Sequence, residues 1–124
     1  MKFLWTAIYV RNLEESIAFY TGLLKLKTLN RFPAGLGMEI AFLGNGHEGE
    51  TLVELMADSK IGDVSFGESI SLGFAVESVD DMLTLVKDKG IAVHSGPFET
   101  PAFRFFCIKD PNGLNVQFFQ KKQP

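Results

Sequence analysis

Two polar side chains interrupt otherwise apolar stretches of the chain, and both are of types that bind ligands or move protons. Glu54 lies within residues 52–56, and Gln117 is flanked by Val116 and Phe118. A carboxylate in such a stretch is costly to bury unless a partner compensates its charge. Glu54 is therefore interpreted as a polar group of a binding site or as a general base. A place on a solvated outer strand face is the alternative that the sequence leaves open.

Four other side chains are candidates for chemistry. Arg104 lies among phenylalanines and is predicted to bind an anionic ligand or to pair with Glu54, with an exposed strand arginine as the alternative. Cys107 is the single cysteine, so an internal disulfide and a thiolate metal site are excluded. It is interpreted as a packing residue rather than a nucleophile. His47 and His94 are considered as substitute metal ligands, but surface or loop positions are the favoured interpretation.

The elements that would position these residues follow a repeat. A strand-like run at 3–10 precedes a helix capped by Asn12, and a second at 70–76 precedes a helix capped by Ser78 and ended by Gly90. Three strand-like runs follow each helix, at 25–32, 37–43 and 51–57, then at 91–94, 102–109 and 114–120. The sequence thus predicts an α+β fold of two βαβββ modules in one domain, 1–124. Module 1 covers about 1–57, the linker 58–68 and module 2 about 69–120.

Strand alternation predicts which side chains share a face. The first and fifth strands are related by an offset of 66 residues, and the fourth and last by an offset of 63. In the fifth strand Ser71, Gly73 and Ala75 are small and leave open space on their face. The side chains predicted on equivalent faces are Trp5, Ala7, Tyr9 and Glu54 in module 1 and Ser71, Gly73, Ala75 and Gln117 in module 2.

The composition indicates which classes of partner and which cellular compartment are expected. The formal net charge is −3 and no basic face is visible, which argues against nucleic-acid binding. No stretch approaches the roughly 20 apolar residues of a membrane span. A single cysteine among 124 residues is typical of a reducing compartment, so a cytoplasmic location is expected.

These features resemble the vicinal-oxygen-chelate superfamily, which includes glyoxalase I, extradiol dioxygenases, fosfomycin-resistance enzymes and bleomycin-binding proteins. The segments that carry the resemblance are 6–20, 53–55, 72–80 and 106–113, which together span nearly the whole chain. The resemblance implies curved mixed sheets around a cleft, the glyoxalase/bleomycin-resistance fold. It also implies that a homodimer is the expected assembly.

The resemblance assigns the family's four metal-ligand positions to Trp5, Glu54, Ser71 and Gln117. Metal-dependent relatives usually carry His or Gln, then Glu, His and Glu there, so only Glu54 matches well. An indole N–H is a donor only, and a neutral hydroxyl is a poor ligand. One carboxylate and one amide fall short of the roughly three or four good ligands of a catalytic divalent site. No cofactor is therefore expected, and a divalent metal is the less favoured alternative.

Three functions are weighed. The first is a small-molecule-binding protein with a degenerate metal site that sequesters a planar drug or metabolite. The second is a glyoxalase-like lyase or isomerase that uses Glu54 as general base, and the third is a regulatory or structural dimer whose cleft is filled by its own aromatic side chains. The predicted ligand contacts are Trp5, Ala7, Tyr9, Glu54, Ser71, Gly73, Arg104 and Gln117.

Overall fold

The structure, a computed structural model, describes residues 1–47 and 50–123. It contains two compact units, Met1–Val64 and a second that begins at Ser65. The boundary between them lies inside the predicted linker at 58–68. That both units form one domain stays a prediction. In the described part of the chain no helix is long and apolar enough to cross a membrane.

Each unit contains four strands and one helix in the order βαβββ. The first unit consists of β1 (Thr6–Tyr9), α1 (Leu13–Gly22), β2 (Lys27–Gly35), β3 (Met38–Gly44) and β4 (Val53–Asp58). The second consists of β5 (Ser71–Ala75), α2 (Val79–Asp88), β6 (Ser95–Glu99), β7 (Phe103–Lys109) and β8 (Asn115–Lys121). The strand orders are β1-β4-β3-β2 and β5-β8-β7-β6, each with one parallel pair. The predicted α+β class and repeated module are confirmed.

Both helices begin at the predicted caps. The Asn12 side chain accepts a hydrogen bond from the Glu15 backbone N–H at 2.9 Å, and the Ser78 hydroxyl accepts one from the Asp81 N–H at 3.0 Å. Each cap satisfies a backbone donor that the first helical turn leaves without a partner. Gly90 follows α2 at φ +73°, a left-handed conformation that glycine adopts without steric cost.

One face of each sheet packs against the helix of its unit and forms the core. In the first unit Tyr20 of α1 is fully buried, and in the second Val79 and Val86 of α2 are fully buried. Because side chains alternate along a strand, the opposite face of each sheet is left less covered. The strand residues of the two cores are Ile8, Ala41, Leu43, Val53 and Leu55, and Phe106, Ile108, Val116 and Phe118.

The strand predicted at 91–94 is wrong, because β6 covers Ser95–Glu99. β6 contains Pro97, and proline cannot donate a hydrogen bond to a sheet ladder. However, β6 is an edge strand, where a proline is tolerated if its nitrogen faces away from the neighbour. For the same reason β2, an outer strand of the first sheet, continues through Pro33 beyond its predicted end at residue 32. At the N-terminus, β1 begins at Thr6 rather than residue 3.

The sheet register agrees with the internal repeat. Ala7 lies opposite Glu54 in the parallel pair β1–β4, and Gly73 lies opposite Gln117 in the parallel pair β5–β8. Ala7 precedes Gly73 by 66 residues, and Glu54 precedes Gln117 by 63. Within each unit, the two residues are therefore direct neighbours. The offsets predict that the faces carrying them are equivalent.

Candidate ligand-binding faces

The face of the first sheet that points away from α1 carries Glu54 at its centre. Glu54 lies opposite Ala7 of β1 on one side and opposite Phe42 of β3 on the other. Ala7 and Tyr9 are exposed, whereas Glu54 and Phe42 are half-buried. We call this surface the first open face, and it comprises Ala7, Tyr9, Phe32, Ile40, Phe42, Glu54 and Met56, with Trp5 directly before β1.

Trp5 and Glu54 are joined directly. The indole Nε1 of Trp5 donates a hydrogen bond to Glu54 Oε1 at 3.1 Å. The Trp5 ring also contacts the Phe42 ring, with centroids 5.1 Å apart and an interplanar angle of 48°, and Phe32 lies 5.7 Å from Phe42. A short row of three aromatic rings thus leads from the carboxylate across β3 to β2. Such rings offer flat apolar surface, and the carboxylate offers a hydrogen-bond acceptor.

Glu54 has a neutral partner only. Of the residues that the structure describes, no Lys, Arg or His forms an ion pair with it. In the same unit the Arg31 guanidinium forms ion pairs with Glu14 and Glu39. The indole N–H satisfies one acceptor site of the carboxylate but does not neutralise its charge. A negative charge is therefore retained among aromatic rings.

The corresponding face of the second sheet is open beside Gln117. Ser71, Gly73 and Ala75 are exposed, while Gln117 is half-buried. A Cβ atom added at Gly73 would lie 3.5 Å from Gln117 Oε1, which is ordinary van der Waals contact. Gly73 thus leaves a space of at least one methyl group next to the amide. We call this surface the second open face.

Phenylalanines cover the part of the second open face that lies farther along β7 and β8. Phe103 contacts Phe119 at a centroid distance of 4.9 Å and Phe105 at 5.9 Å, and Phe105 contacts Phe98 at 5.2 Å. Phe98 of the edge strand β6 is 48% exposed, so the cluster is accessible from one side. Strand alternation relative to Gln117 is the sequence signal that places this cluster on the open face rather than in the core.

Glu68 lies at the centre of a polar cluster at the start of the second unit. Its carboxylate accepts hydrogen bonds from Lys109 Nζ and from His94 Nε2, the latter at 2.7 Å, and its carbonyl accepts one from Asn115 Nδ2 at 3.3 Å. Lys109 and then His94 lower the pKa of the Glu68 carboxyl below its ordinary value. His94 is exposed, in agreement with its surface interpretation. Sequence analysis did not single out Glu68, since nothing local marks its long-range partners.

Arg104 is not grouped with Gln117. It alternates with Phe103 and Phe105 along β7 and lies on the side of α2, where its guanidinium pairs with Asp80 at 3.1 Å and with Glu99 at 3.2 Å. Asp80 raises the pKa of Arg104 further above its ordinary value. The side chain is 23% exposed. Arg104 therefore joins α2 to the outer part of the second sheet.

The last two candidates differ in their surroundings. Cys107 is buried and lies opposite Gln117 in the β7–β8 pair, so it shares the face of Gln117. His47 is exposed in the loop between β3 and β4, of which residues 48 and 49 lie outside the described part of the chain.

The side chains at the four family metal positions do not fit a divalent cation. Trp5 presents a donor N–H, which cannot coordinate a cation and which binds Glu54 Oε1, and Ser71 is an exposed neutral hydroxyl. Within residues 1–47 and 50–123, no group of three or more His, Cys, Asp or Glu side chains could hold a metal ion. Glu54 and Gln117 remain candidates for contacts to an organic ligand.

The sequence and fold match known proteins over almost the full chain. Residues 2–118 match the family described as Glyoxalase/Bleomycin resistance protein/Dioxygenase superfamily. The lactoylglutathione lyase of Neisseria meningitidis serogroup A is 30% identical over 128 aligned residues, which cover 98% of this chain and 92% of that protein.

Two solved structures share the fold at lower sequence identity. The trypanothione-dependent glyoxalase I of Leishmania major superposes with a TM-score of 0.81 at 24% identity, covering 97% of this chain and 86% of that chain. The antibiotic-binding protein TnmS3 of Streptomyces superposes with a TM-score of 0.72 at 20% identity, covering 98% of both chains. The same fold thus occurs in proteins named as enzymes and in a protein named for binding.

Proposed function

The chain belongs to the Glyoxalase/Bleomycin resistance protein/Dioxygenase superfamily, and from that premise we propose that it is a small-molecule-binding protein. Its ligand is a planar drug or metabolite that is held without chemical change. The observation that carries this proposal is the hydrogen bond from Trp5 to Glu54. It gives the first open face a fixed acceptor beside a flat aromatic ring instead of a metal ligand.

The lining of the first open face supports a planar ligand. Small-molecule sites are mostly apolar, with a few polar groups that fix orientation. Here Trp5, Phe42 and Phe32 supply apolar ring surface, and Glu54 supplies the acceptor. Aromatic ligands stack on such rings in offset or tilted geometry. Ala7 and Tyr9 are exposed beside them and leave the face accessible.

The second open face contributes polar contacts of a different kind. Gln117 presents an amide that both donates and accepts, and the missing side chain of Gly73 leaves room beside it. Ser71 adds an exposed hydroxyl. We propose these three residues as ligand contacts within the second unit. Arg104 is left out of this set because Asp80 and Glu99 already bind its guanidinium.

Titration of the intrinsic fluorescence of Trp5, the single tryptophan, tests the proposal. A panel of planar aromatic compounds is added to the full chain, and saturable changes give dissociation constants. Phe42→Leu removes ring surface next to Trp5 and should weaken binding roughly three- to tenfold. Phe3→Leu, at a side chain that is 80% exposed, is the matched control and should leave affinity unchanged. If no compound gives a saturable change, the proposal fails.

A glyoxalase-like lyase is the second candidate, favoured by the 30% identity to a protein named lactoylglutathione lyase. In this reading Glu54 is the general base that removes a proton next to a substrate carbonyl. Turnover of the adduct of methylglyoxal and glutathione, followed by absorbance, tests it. Activity that is abolished in Glu54→Gln and retained in Glu15→Gln would place this function first.

The assembly and location are proposed from the family resemblance. We propose a cytoplasmic homodimer that binds neither nucleic acid nor membrane. Sedimentation velocity at micromolar concentration should give twice the mass of the 13.8 kDa chain.

A further inference from the structure

Glu54 is a half-buried carboxylate whose neighbours across the sheet, Ala7 and Phe42, carry neither charge nor a hydrogen-bonding side chain. Its hydrogen bond comes from the Trp5 indole at 3.1 Å. A partly buried charge normally pairs with an opposite charge, because desolvation alone is costly. In the described residues around Glu54 no cationic side chain does so.

A neutral donor orients the carboxylate without cancelling its charge. The Trp5 ring is itself held against Phe42, at 5.1 Å between centroids, so the direction of its N–H is fixed by packing. Oε1 of Glu54 is then occupied, and Oε2 is left for a ligand. The faces of Trp5 and Phe42 carry partial negative charge, which adds to the field of the carboxylate.

We propose that Trp5 positions Glu54 as an acceptor for positive charge, so that the first open face selects organic cations over neutral molecules of the same shape. This inference rests on the proposed small-molecule binding and names the class of its ligand. Trp5 acts as a positioning residue, since its N–H acts on the ligand through Glu54. Its ring still contributes apolar surface, which serves charged and neutral ligands alike.

Two planar probes of nearly the same shape separate charge from stacking. N-methylquinolinium carries a positive charge, and 1-methylnaphthalene is its neutral counterpart. Equilibrium dialysis of each probe against the full chain gives both affinities without relying on tryptophan fluorescence. The wild type should bind the cation roughly tenfold more tightly than the neutral probe, because the carboxylate and the ring faces attract positive charge at a partly exposed site.

Two variants assign the preference to its residues. Glu54→Gln keeps the shape and removes the charge, so the two probes should bind equally well, with the neutral probe unaffected. Trp5→Phe keeps a ring against Phe42 and removes the N–H, so the cation preference should fall at least about threefold while the neutral probe is again unaffected. Glu15→Gln, at an exposed position on α1, is the control and should keep the full preference.

The outcomes distinguish this inference from the function on which it rests. Equal affinity of the wild type for both probes would overturn the cation preference and leave small-molecule binding in place. Binding of neither probe would overturn both. A loss of affinity for both probes together in Trp5→Phe would show that Trp5 acts through packing alone, which contradicts its positioning role. Circular dichroism of each variant confirms that the fold is kept.

Discussion

Gly73 lies at a position where neither the backbone conformation nor the packing of the second sheet requires glycine. Its φ is not in the left-handed region, and an added Cβ would lie 3.5 Å from Gln117 Oε1, with no closer contact. Glycine within a strand is less stable than alanine by about 0.5–1 kcal/mol, because it loses more backbone entropy on folding. We therefore predict that Gly73→Ala raises the free energy of unfolding by about 0.5–1 kcal/mol.

The same substitution should weaken ligand binding, since the new methyl group fills the space beside Gln117. Urea denaturation measures stability, and equilibrium dialysis with the planar probes measures affinity. Gly22→Ala, at the end of α1 with no heavy atom within 4 Å of the added Cβ, is the matched control. It should gain similar stability and leave binding unchanged. A Gly73→Ala protein that is less stable than the wild type would contradict the expected gain in stability. One that binds as well as the wild type would contradict the role of Gly73 in leaving space for a ligand.

Three further predictions concern stability. Leu55→Ala should cost about 2–5 kcal/mol in urea unfolding, because the side chain is fully buried in the first core, and a loss under 1 kcal/mol would contradict that packing. Ser78→Ala should cost about 1 kcal/mol through loss of the α2 cap, whereas Ser78→Gly should cost only a few tenths; equal losses would contradict the capping role. Lys109 and then His94 lower the folded-state pKa of Glu68 from 4.5, so its contribution is present above that value and is lost as pH falls through the folded pKa. The difference in urea midpoint between wild type and Glu68→Gln should therefore shrink below about pH 4.5, and a difference independent of pH would contradict it.

The parts of the fold that could be predicted depend on local signals. The caps at Asn12 and Ser78 and the alternation of apolar residues are encoded within a few positions, and they fix the helices and the buried faces. The position of β6 is not contained in the local sequence, because a strand tolerates Pro97 only if the strand lies at an edge of its sheet. Whether a strand lies at an edge is a property of the whole sheet, which local sequence does not contain.

The strand faces of the candidate residues could be predicted from the sequence, whereas their contacts could not. The offset of 66 matched Ala7 with Gly73, and the offset of 63 matched Glu54 with Gln117. That Ala7 lies opposite Glu54, and Gly73 opposite Gln117, follows from the strand pairing, which the offsets do not contain. The bond between Trp5 and Glu54 joins residues 49 positions apart and depends on the rotamers of both. The pairing of Arg104 with α2 likewise required the helix to be placed on the sheet.

The most direct test of the central claim uses the single tryptophan as a reporter. Protein labelled with 5-fluorotryptophan should show one main ¹⁹F resonance, from Trp5. After treatment with EDTA, it is titrated with a planar ligand from the fluorescence panel and, separately, with Zn²⁺, Ni²⁺ and Mn²⁺. We expect a saturable shift of the resonance with the planar ligand and no saturable shift with the metals. A saturable, stoichiometric response to a metal would contradict it and would move the lyase function to first place.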